Sequence, residues 1–288
     1  MKKLSVILTI CACMLFSATA FAGHAHYVNG IEGVKGASVP PPGKYWRSYN
    51  VFYNANTMRN NNGDKSNFNV DVFATVQRYI HTTNTKILGA DLVVGAIVPL
   101  TYTHVKTGGT DFNLGDIFIE PAVLAWHGER SDSVLGIGVY LPTGKFNSNA
   151  MANAGKGYWT YMLTAGTTQY LSADKSWSFA ILARYEFHSS QRNTDYRAGD
   201  DFHFEWGLGK KLNDTVELGL AGYCQWQVRK DKNGNYGNNK ERVYAIGPEI
   251  NLNIPKWKAA VNIRSLWEFG AKNTTEGTMS TLTFTKAI

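Results

Sequence analysis

The sequence predicts an all-β protein, a transmembrane antiparallel up-and-down β-barrel of about twelve strands. Three observations predict it. The chain contains many short runs in which apolar and polar residues alternate, long and short connections separate these runs in turn, and an export signal precedes them. Alternation with a period of two places one set of side chains on each face of a strand. In a membrane-spanning barrel one face meets lipid and the other lines the lumen.

Residues 1–22 have the organisation of a signal peptide. Lys2 and Lys3 supply the positive start, residues 4–16 the apolar run, and residues 20–22 an A-x-A cleavage site. We therefore expect the mature chain to begin at Gly23. No later segment holds 18 consecutive apolar residues, so no transmembrane helix is predicted.

Residues 23–43 show no period and contain five glycines and three consecutive prolines. Such a segment is unsuited to an interior strand, because proline removes a backbone donor. It is predicted either to lie in the periplasm or to fold back into the lumen as a small plug. Residues 44–288 are assigned to the barrel.

The alternating runs predict the individual strands. They lie at approximately 45–56, 67–80, 90–103, 115–126, 134–142, 158–171, 176–189, 201–211, 215–229, 243–254, 258–269 and 278–286. The first arm of the central hairpin, at 176–189, spans about a dozen alternating residues, near the 9–11 that a tilted strand needs to cross a bilayer.

The connections between these runs predict the topology. Long ones fall at 57–66, 104–114, 143–157, 190–200, 230–242 and 270–277, and short ones at 81–89, 127–133, 172–175, 212–214 and 255–257. Strict alternation is typical of outer-membrane barrels, which have short periplasmic turns and long extracellular loops. A Greek-key sandwich gives no reason for this order.

Aromatic residues mark the rows that we expect to face lipid. They cluster near the ends of the runs, as in the two interfacial girdles of a barrel. The predicted outward aromatics are Tyr45, Tyr49, Tyr53, Trp159, Tyr161, Trp177, Tyr185, Phe187, Trp267 and Phe269.

Charge and the last strand indicate the partners. The formal net charge is +7, and it is scattered without a Lys/Arg cluster, so nucleic acid is not expected as a partner. Leu282, Phe284 and Ile288 share one parity at the C-terminus, as suits recognition by the barrel-assembly machinery. The expected partners are therefore outer-membrane lipid, a small solute and that machinery. The oligomeric state stays open.

Five motifs carry a family resemblance. They are HYVNGIEGVKGASVPPPGKY at 26–45, GDIFIEPAVLAWH at 115–127, GVYLPTGKFN at 138–147, NTDYRAGDDFHFEWGLGK at 193–210 and AIGPEINL at 245–252. Together they resemble the bacterial outer-membrane family named for the meta-pathway of phenol degradation. The resemblance covers nearly the whole mature chain. It implies a transport role for hydrophobic or aromatic compounds and brings no established catalytic residues.

The polar parity of the runs predicts the residues of the lumen and of a substrate path. They are Asp71, Asp116, Glu120, Arg184, Glu186, His188, His203, Glu205, Arg264 and Glu268. If the two arms of the central hairpin pair symmetrically about 195–196, His188 faces His203 and Glu186 faces Glu205. This quartet predicts either a station for a cation or polar substrate, or a hydrated polar network that includes Arg184. No metal ligand set and no cofactor is assigned.

Two prolines interrupt neighbouring runs. Pro99 and Pro121 each remove a ladder donor and should bend or bulge their strands. Such a bend either opens a sideways exit into lipid for an apolar substrate or only shapes the barrel.

Catalysis is not predicted. His188 is followed by Ser189 and Ser190, but adjacent strand residues point to opposite faces, and His104 has no nucleophile motif beside it. The predicted function is a passive outer-membrane channel or transporter for small, hydrophobic or aromatic compounds. The alternatives are a structural or surface-interaction barrel that uses the loops at 143–157 and 230–242, and an outer-membrane lipid hydrolase.

Overall fold

The computed structural model describes residues 18–19, 23–234 and 239–288. The predicted signal peptide therefore lies outside the described residues, apart from residues 18–19. The strands are β1 (Ala18–Thr19), β2 (Gly43–Arg59), β3 (Lys65–Ile87), β4 (Ala90–Val105), β5 (Gly109–Leu114), β6 (Ile117–His127), β7 (Ser131–Leu141), β8 (Ala152–Asn153), β9 (Thr160–Tyr170), β10 (Trp177–His188), β11 (Asp201–Lys211), β12 (Val216–Gln227), β13 (Arg242–Ile254), β14 (Ala259–Lys272) and β15 (Thr275–Ala287). Among the described residues, Pro255–Trp257 form a short 3-10 helix between β13 and β14.

The sheet closes on itself. All strands except β1 and β8 form one antiparallel sheet in which β15 pairs with β2, β2 with β3 and β3 with β4. Strands β5 and β6 together make one barrel strand, because β4 pairs with β5 through 100–105 and with β6 through 91–97. The described residues thus form a twelve-stranded up-and-down barrel, and the predicted fold class is confirmed. The short strands β1 and β8 pair only with each other.

The connections keep the predicted sense. The long ones are 142–159, 189–200 and the connection between β12 and β13, of which 228–234 and 239–241 are described. They lie at the end of the barrel opposite to the start of β2 and the end of β15. In the other three hairpins on that side, much of the predicted loop is strand instead, and the turns shrink to 60–64, 106–108 and 273–274. Strands that pair with each other beyond the bilayer satisfy their own backbone hydrogen bonds, so they continue into water.

The outer surface carries an exposed apolar band. Leu135, Ile137 and Leu163 lie on neighbouring strands and are about half exposed, as is Trp267 farther round the barrel. In a transmembrane barrel, an outward apolar band of this kind contacts the hydrocarbon core of the bilayer. No helix among the described residues is both long enough and apolar enough to span a membrane.

Two of the predicted faces are wrong on strands β2 and β3. Tyr49 and Tyr53 were predicted to face lipid, yet they are 1% and 6% exposed and point into the lumen. Tyr45 follows the same parity, and its hydroxyl donates to the Pro41 carbonyl. The cause is electrostatic: Arg47 lies on this row, and an arginine facing the bilayer midplane costs about 2–4 kcal/mol.

Asp71 is placed wrongly by the same error of parity. Val70, Val72 and Ala74 are buried inside, whereas Asp71 is exposed and accepts a hydrogen bond from Asn54 Nδ2 at 2.6 Å. Strand β3 has 23 residues, about twice the number needed to span the bilayer. Asp71 lies on the part near the 60–64 turn, where an outward polar side chain meets water.

Candidate functional site in the barrel lumen

Residues 23–42, termed here the luminal segment, run through the interior of the barrel. At one end Lys156 Nζ, from a long loop, donates to the carbonyls of Gly23 at 2.7 Å and Ala25 at 2.5 Å. At the other end Thr82 Oγ1 donates to the Pro40 carbonyl at 3.1 Å, close to the start of β2. The segment therefore extends from the extracellular loops to the periplasmic rim. The sequence left its position open between the periplasm and the lumen.

A histidine–carboxylate cluster holds the upper part of the luminal segment. Glu186 accepts hydrogen bonds from the backbone N–H groups of His26 at 2.7 Å and Tyr27 at 3.0 Å, and its Oε1 lies 3.0 Å from His203 Nε2. His188 Nδ1 lies 2.6 Å from Thr160 Oγ1. The same hydroxyl lies 2.5 Å from His26 Nδ1. Glu186, His188 and His203 of the predicted quartet therefore lie together. Glu186 binds the backbone of the luminal segment.

The symmetric pairing predicted for the central hairpin is wrong. The register pairs Arg184 with His203 and Glu186 with Asp201, so the hairpin is centred two residues earlier than expected. Glu205 lies opposite Leu182 instead of opposite Glu186. In this register the diagonal neighbours across the two strands supply the basic partners: His203 lies beside Glu186 and Arg184 beside Glu205.

The middle of the luminal segment is clamped by two buried ion pairs. Arg184 Nη1 donates to Glu205 Oε1 at 2.9 Å, and the Arg184 guanidinium stacks 3.6 Å over the Tyr27 ring. Glu205 Oε2 in turn accepts from the Glu32 N–H at 2.8 Å. A cation over an aromatic face is attracted by the ring quadrupole, which adds to the ion pair.

Arg264 and Glu249 form the second clamp. Arg264 Nε donates to Glu249 Oε2 at 2.7 Å, and its Nη1 donates to the Gly30 carbonyl. Glu249 Oε2 also accepts from the Val34 N–H at 3.1 Å. Gly33 has φ +60°, and a Cβ there would overlap the side chains of Glu249 and Arg264. Position 33 therefore requires a glycine, because its backbone is left-handed and a Cβ has no room beside the ion pair.

Glu32 anchors the lower part of the luminal segment. Its carboxylate accepts from Arg47 Nη1 at 2.8 Å, from Arg78 Nη1 at 2.7 Å and from the Tyr49 hydroxyl at 2.8 Å. Burial alone would raise the pKa of Glu32, but the two guanidinium groups outweigh it and hold that pKa below its usual value. Arg78 Nη2 also donates to Glu120 at 2.7 Å.

Arg47, Arg78, Tyr49 and Glu32 were not predicted as lumen residues. The available signal was a charge on each apolar row: Arg47 on the tyrosine row of β2 and Arg78 on the valine row of β3. An arginine on a row excludes that row from the lipid-facing side near the midplane. Both rows should have been assigned to the lumen on this ground.

The other predicted lumen residues also face inward. Asp116 lies between β5 and β6 and accepts from His26 Nε2 at 2.8 Å, and Glu268 accepts from the hydroxyls of Tyr53 and Tyr223. Nine of the ten predicted residues thus line the interior, and Asp71 does not. No group of three or more His, Cys, Asp or Glu in residues 23–234 and 239–288 is arranged to hold a metal ion.

The two prolines do interrupt the wall. The ladder between β6 and β7 shifts register between Ile119 and Ala122, around Pro121. Beside Pro99, β4 changes its partner from β6 to β5, and the Gly115 N–H donates to the Pro99 carbonyl at 2.9 Å. The wall is thus irregular around Pro121 and between β5 and β6 opposite Pro99, whereas the ladder between β3 and β4 is regular at Pro99.

A cavity of about 170 Å³ lies between the luminal segment and the wall in the periplasmic half. Its lining includes the apolar side chains of Ile80, Val93 and Leu182. It also includes Arg47 and Arg78, and Arg78 lies two residues before Ile80 on β3. The cavity is smaller than the range of roughly 300–1,000 Å³ that is typical for drug-sized ligands, so it suits a smaller molecule.

Comparison with known proteins supports this fold. Residues 55–284 match the model of a family described as "Putative MetA-pathway of phenol degradation". No curated protein matches the chain in sequence.

Solved structures share the barrel at low sequence identity. The COG4313 outer membrane channel from Pseudomonas putida F1 has a TM-score of 0.79 at 13% identity, over 91% of this chain and 100% of that one. The β domain of the Bordetella autotransporter BrkA has a TM-score of 0.52 at 10% identity, over 86% and 100%. The transport unit of the Escherichia coli autotransporter AIDA-I has a TM-score of 0.51 at 7% identity, over 91% and 93%. The fold is that of an outer-membrane barrel.

Proposed function

Because the chain belongs to the family described by the MetA-pathway of phenol degradation, we propose that it is an outer-membrane channel for the passive uptake of small hydrophobic or aromatic compounds. The family description supports the aromatic substrate class. The barrel similar to this one, from Pseudomonas putida, is an outer membrane channel. No residue is assigned a catalytic role.

The observation that carries the proposal is the cavity beside the luminal segment. It lies inside the barrel, and its lining includes the apolar side chains of Ile80, Val93, Val123, Val134 and Leu182. A filled interior would leave no space for a solute, and a wide aqueous pore would give no preference for apolar ones. A small, partly apolar chamber in the wall–segment interface favours a ring or a short aliphatic chain.

The route through the lumen requires the luminal segment to move. Arg184, Glu186, Glu205 and Arg264 hold the segment or its clamps, so the predicted path residues are occupied as long as it stays in place. These hydrogen bonds go to charged side chains, and exchanging them for bonds to water or solute costs about 1.5–3 kcal/mol each. A shift of the segment then connects the cavity with the loops.

The sideways exit is part of the same proposal. Apolar compounds would leave the lumen at the irregular wall around Pro99 and Pro121, where fewer ladder hydrogen bonds have to break. Pro121→Val restores a ladder donor and should slow the uptake of apolar compounds while ion conductance stays unchanged. Unchanged uptake rates in this variant would remove the sideways exit.

The central experiment is uptake of a panel of aromatic and aliphatic compounds by cells with and without the gene. It is paired with planar-bilayer conductance of the purified protein. The expected result is faster uptake of small aromatic compounds and a low conductance for ions. If cells with and without the gene take up every compound at the same rate, the transport function is refuted.

A further inference from the structure

The cavity in the periplasmic half, termed here the arginine cavity, carries an excess of positive charge. Five cationic side chains line it, namely Lys35, Arg47, Arg78, Arg184 and Arg264. Only two carboxylates line it, Glu32 and Glu120. The other partners of these cations, such as Glu205 behind Arg184, lie outside the lining. Each of the five cations already has a carboxylate partner, so an anionic occupant gains these cations by exchange with a carboxylate of the protein.

Glu32 is the carboxylate that Arg47 and Arg78 bind, and it belongs to the luminal segment, not to the barrel wall. Arg47, Arg78 and the Tyr49 hydroxyl converge on its two oxygens at 2.7–2.8 Å. Three donors from two adjacent strands thus form a ready-made carboxylate receptor. The carboxylate in it is carried by a segment with no strand or helix between residues 23 and 42.

Unpartnered donors lie beside this receptor. The Nε atoms of Arg78 and Arg184 are buried and have no hydrogen-bond partner among the described residues. A buried donor without an acceptor costs about 1–3 kcal/mol. Both residues line the arginine cavity, so each guanidinium retains one donor that the protein leaves unused.

Beside the arginines, on the same strand faces, the cavity lining is apolar. Ile80, Val93, Val134 and Leu182 are each less than a tenth exposed and line the same chamber. An occupant that satisfies both parts of the lining carries one anionic group and one apolar body. With a volume of about 170 Å³ the space suits a single ring or a short chain.

We propose that the arginine cavity binds small carboxylates with an apolar body, such as an aromatic or short aliphatic acid, and that Glu32 is its displaceable internal occupant. An incoming acid takes the place of Glu32 between Arg47 and Arg78, and the luminal segment loses its lower anchor. The inference rests on the proposed channel function only for how the acid arrives. Binding itself is independent of it.

Competition with Glu32 determines the affinity. A tethered carboxylate acts at an effective concentration in the millimolar range or above. A free acid therefore binds weakly in the unmodified protein, and its occupancy rises with its concentration outside. Glu32→Gln removes the competing charge and keeps the shape of the side chain, but its amide has one accepting oxygen where the carboxylate has two, so part of the contact with Arg47, Arg78 and Tyr49 is lost.

The test is calorimetric titration of the detergent-solubilised full-length protein with sodium benzoate at neutral pH, with detergent alone as the blank. Neutral benzyl alcohol, of similar size, is titrated in parallel. Glu32→Gln should bind benzoate about tenfold more tightly than the unmodified protein. The double variant Glu32→Gln/Arg47→Gln should lose that gain. Benzyl alcohol should respond to neither change.

The matched control is Glu276→Gln. Glu276 pairs with Arg59 at 2.7 Å, near the extracellular turns, and lines no part of the arginine cavity. It should leave the benzoate affinity unchanged. Because a gain in affinity cannot arise from misfolding, Glu32→Gln keeps the test decisive.

Equal benzoate affinity in the unmodified protein and in Glu32→Gln would overturn the inference, as would an equal gain for benzyl alcohol. If benzyl alcohol and toluene are taken up by cells but benzoate gains nothing, the channel function stands and the carboxylate site falls. If benzoate binds as expected but no compound is taken up, the site stands and the channel function falls.

Discussion

Ionised side chains inside the barrel hold the luminal segment in place. The Arg264 and Glu249 side chains are 1% and 0% exposed, and both also bind the backbone of the segment. Taking two charges out of water is costly, and their mutual attraction offsets this only when further hydrogen bonds complete the shell. The backbone groups of Gly30 and Val34 supply those bonds. The pair therefore depends on the segment as the segment depends on the pair.

Removing one member of this pair should be strongly destabilising. Arg264→Ala leaves the Glu249 charge buried without its partner, which costs about 3–5 kcal/mol of the free energy of unfolding. The check is denaturant unfolding of the protein in liposomes. Arg59→Ala, which breaks a more exposed pair with Glu276, should cost about 0–1 kcal/mol. Equal losses in the two variants would contradict the role assigned to Arg264.

His26 makes the docking of the luminal segment sensitive to acid. Burial lowers the pKa of His26 to about 4, although Asp116 and Glu186 oppose this, and Lys156 adds to it. A released segment exposes His26 to water, where its pKa is near 6.5. Between these values the released form binds a proton that the docked form does not. Docking is therefore fully favoured above pH 6.5 and weakens as the pH falls towards 4.

The prediction is that channel conductance rises as the pH is lowered from 7.5 to 5. The linkage amounts to about 2 kcal/mol against docking at pH 5. His26→Gln should abolish the rise, and His104→Gln, at a partly exposed histidine on β4, should keep it. A pH response that is identical in the His26→Gln variant would exclude His26 as its source.

His24 acts in the opposite direction. Burial alone would lower the pKa of His24, but the carboxylates of Glu241 and Asp231 outweigh it and raise that pKa. Protonation of His24 therefore strengthens docking as the pH falls through its raised pKa. His26→Gln consequently should not merely flatten the pH response but reverse its sign. Conductance of that variant should fall slightly between pH 7.5 and pH 5.

At the scale of elements, the luminal segment has no regular structure of its own, so the wall supplies its hydrogen bonds. Close contact with the wall requires small residues on both sides: a Cβ at Gly207 of β11 would meet the backbone of Val34, and Gly33 contacts the Glu249–Arg264 pair. The segment can therefore occupy this path only while those glycines are present.

Gly33→Ala should displace the segment without unfolding the barrel. The left-handed backbone alone costs about 1–2 kcal/mol for a residue with a Cβ, and overlap with Glu249 and Arg264 adds to it. Conductance and protease cleavage within 23–42 should both increase. Gly63→Ala is the control, because Gly63 has φ +87° and open space around it. If both variants behave alike, backbone strain and not contact with the wall is responsible.

At the scale of the whole molecule, closure of the sheet and the apolar outer band make the barrel a membrane protein. A closed barrel leaves no unpaired strand edge in the hydrocarbon, where each unsatisfied backbone group costs several kcal/mol. Lipid-facing positions then tolerate apolar side chains only, with a penalty for charge that depends on depth. Leu135 lies near the middle of β7 and is 54% exposed.

Leu135→Arg should therefore destabilise the folded barrel by about 2–4 kcal/mol. Leu212 is equally exposed, at 56%, but it lies in the turn after β11 at the membrane edge. Leu212→Arg should cost about 0–1 kcal/mol. The free energies of unfolding in liposomes measure both. Similar costs at the two positions would contradict the assignment of the lipid-facing band.

Part of the lumen could be predicted because the alternation on β10, β11 and β14 is unambiguous. There one row carries Arg184 and Glu186, or Arg264 and Glu268, and the other is apolar, so the inward face follows directly. On β2 and β3 both rows mix apolar and polar residues, and Tyr49, Tyr53 and Asp71 were assigned to the wrong faces. Hydroxyl groups make tyrosine equally suited to a membrane interface and to a polar lumen.

The register of the central hairpin shows a second limit. Symmetric pairing about the loop is one choice among several, because the 189–200 connection is long and imposes no turn geometry. In the actual register His203 and Glu205 reach Glu186 and Arg184 across the hairpin, and the two glutamates also accept from the backbone of the luminal segment outside it. None of these contacts is local in sequence.

The sequence by itself determined the all-β class, the twelve crossings, their order and the two interrupted strands, because side-chain alternation, loop length and proline are local properties. Only the tertiary structure decided that residues 23–42 lie inside the barrel and that Glu32 sits between Arg47 and Arg78. A segment without a period has no preferred partner along the chain. Its position depends on hydrogen bonds and charges that come together only when the barrel closes around it.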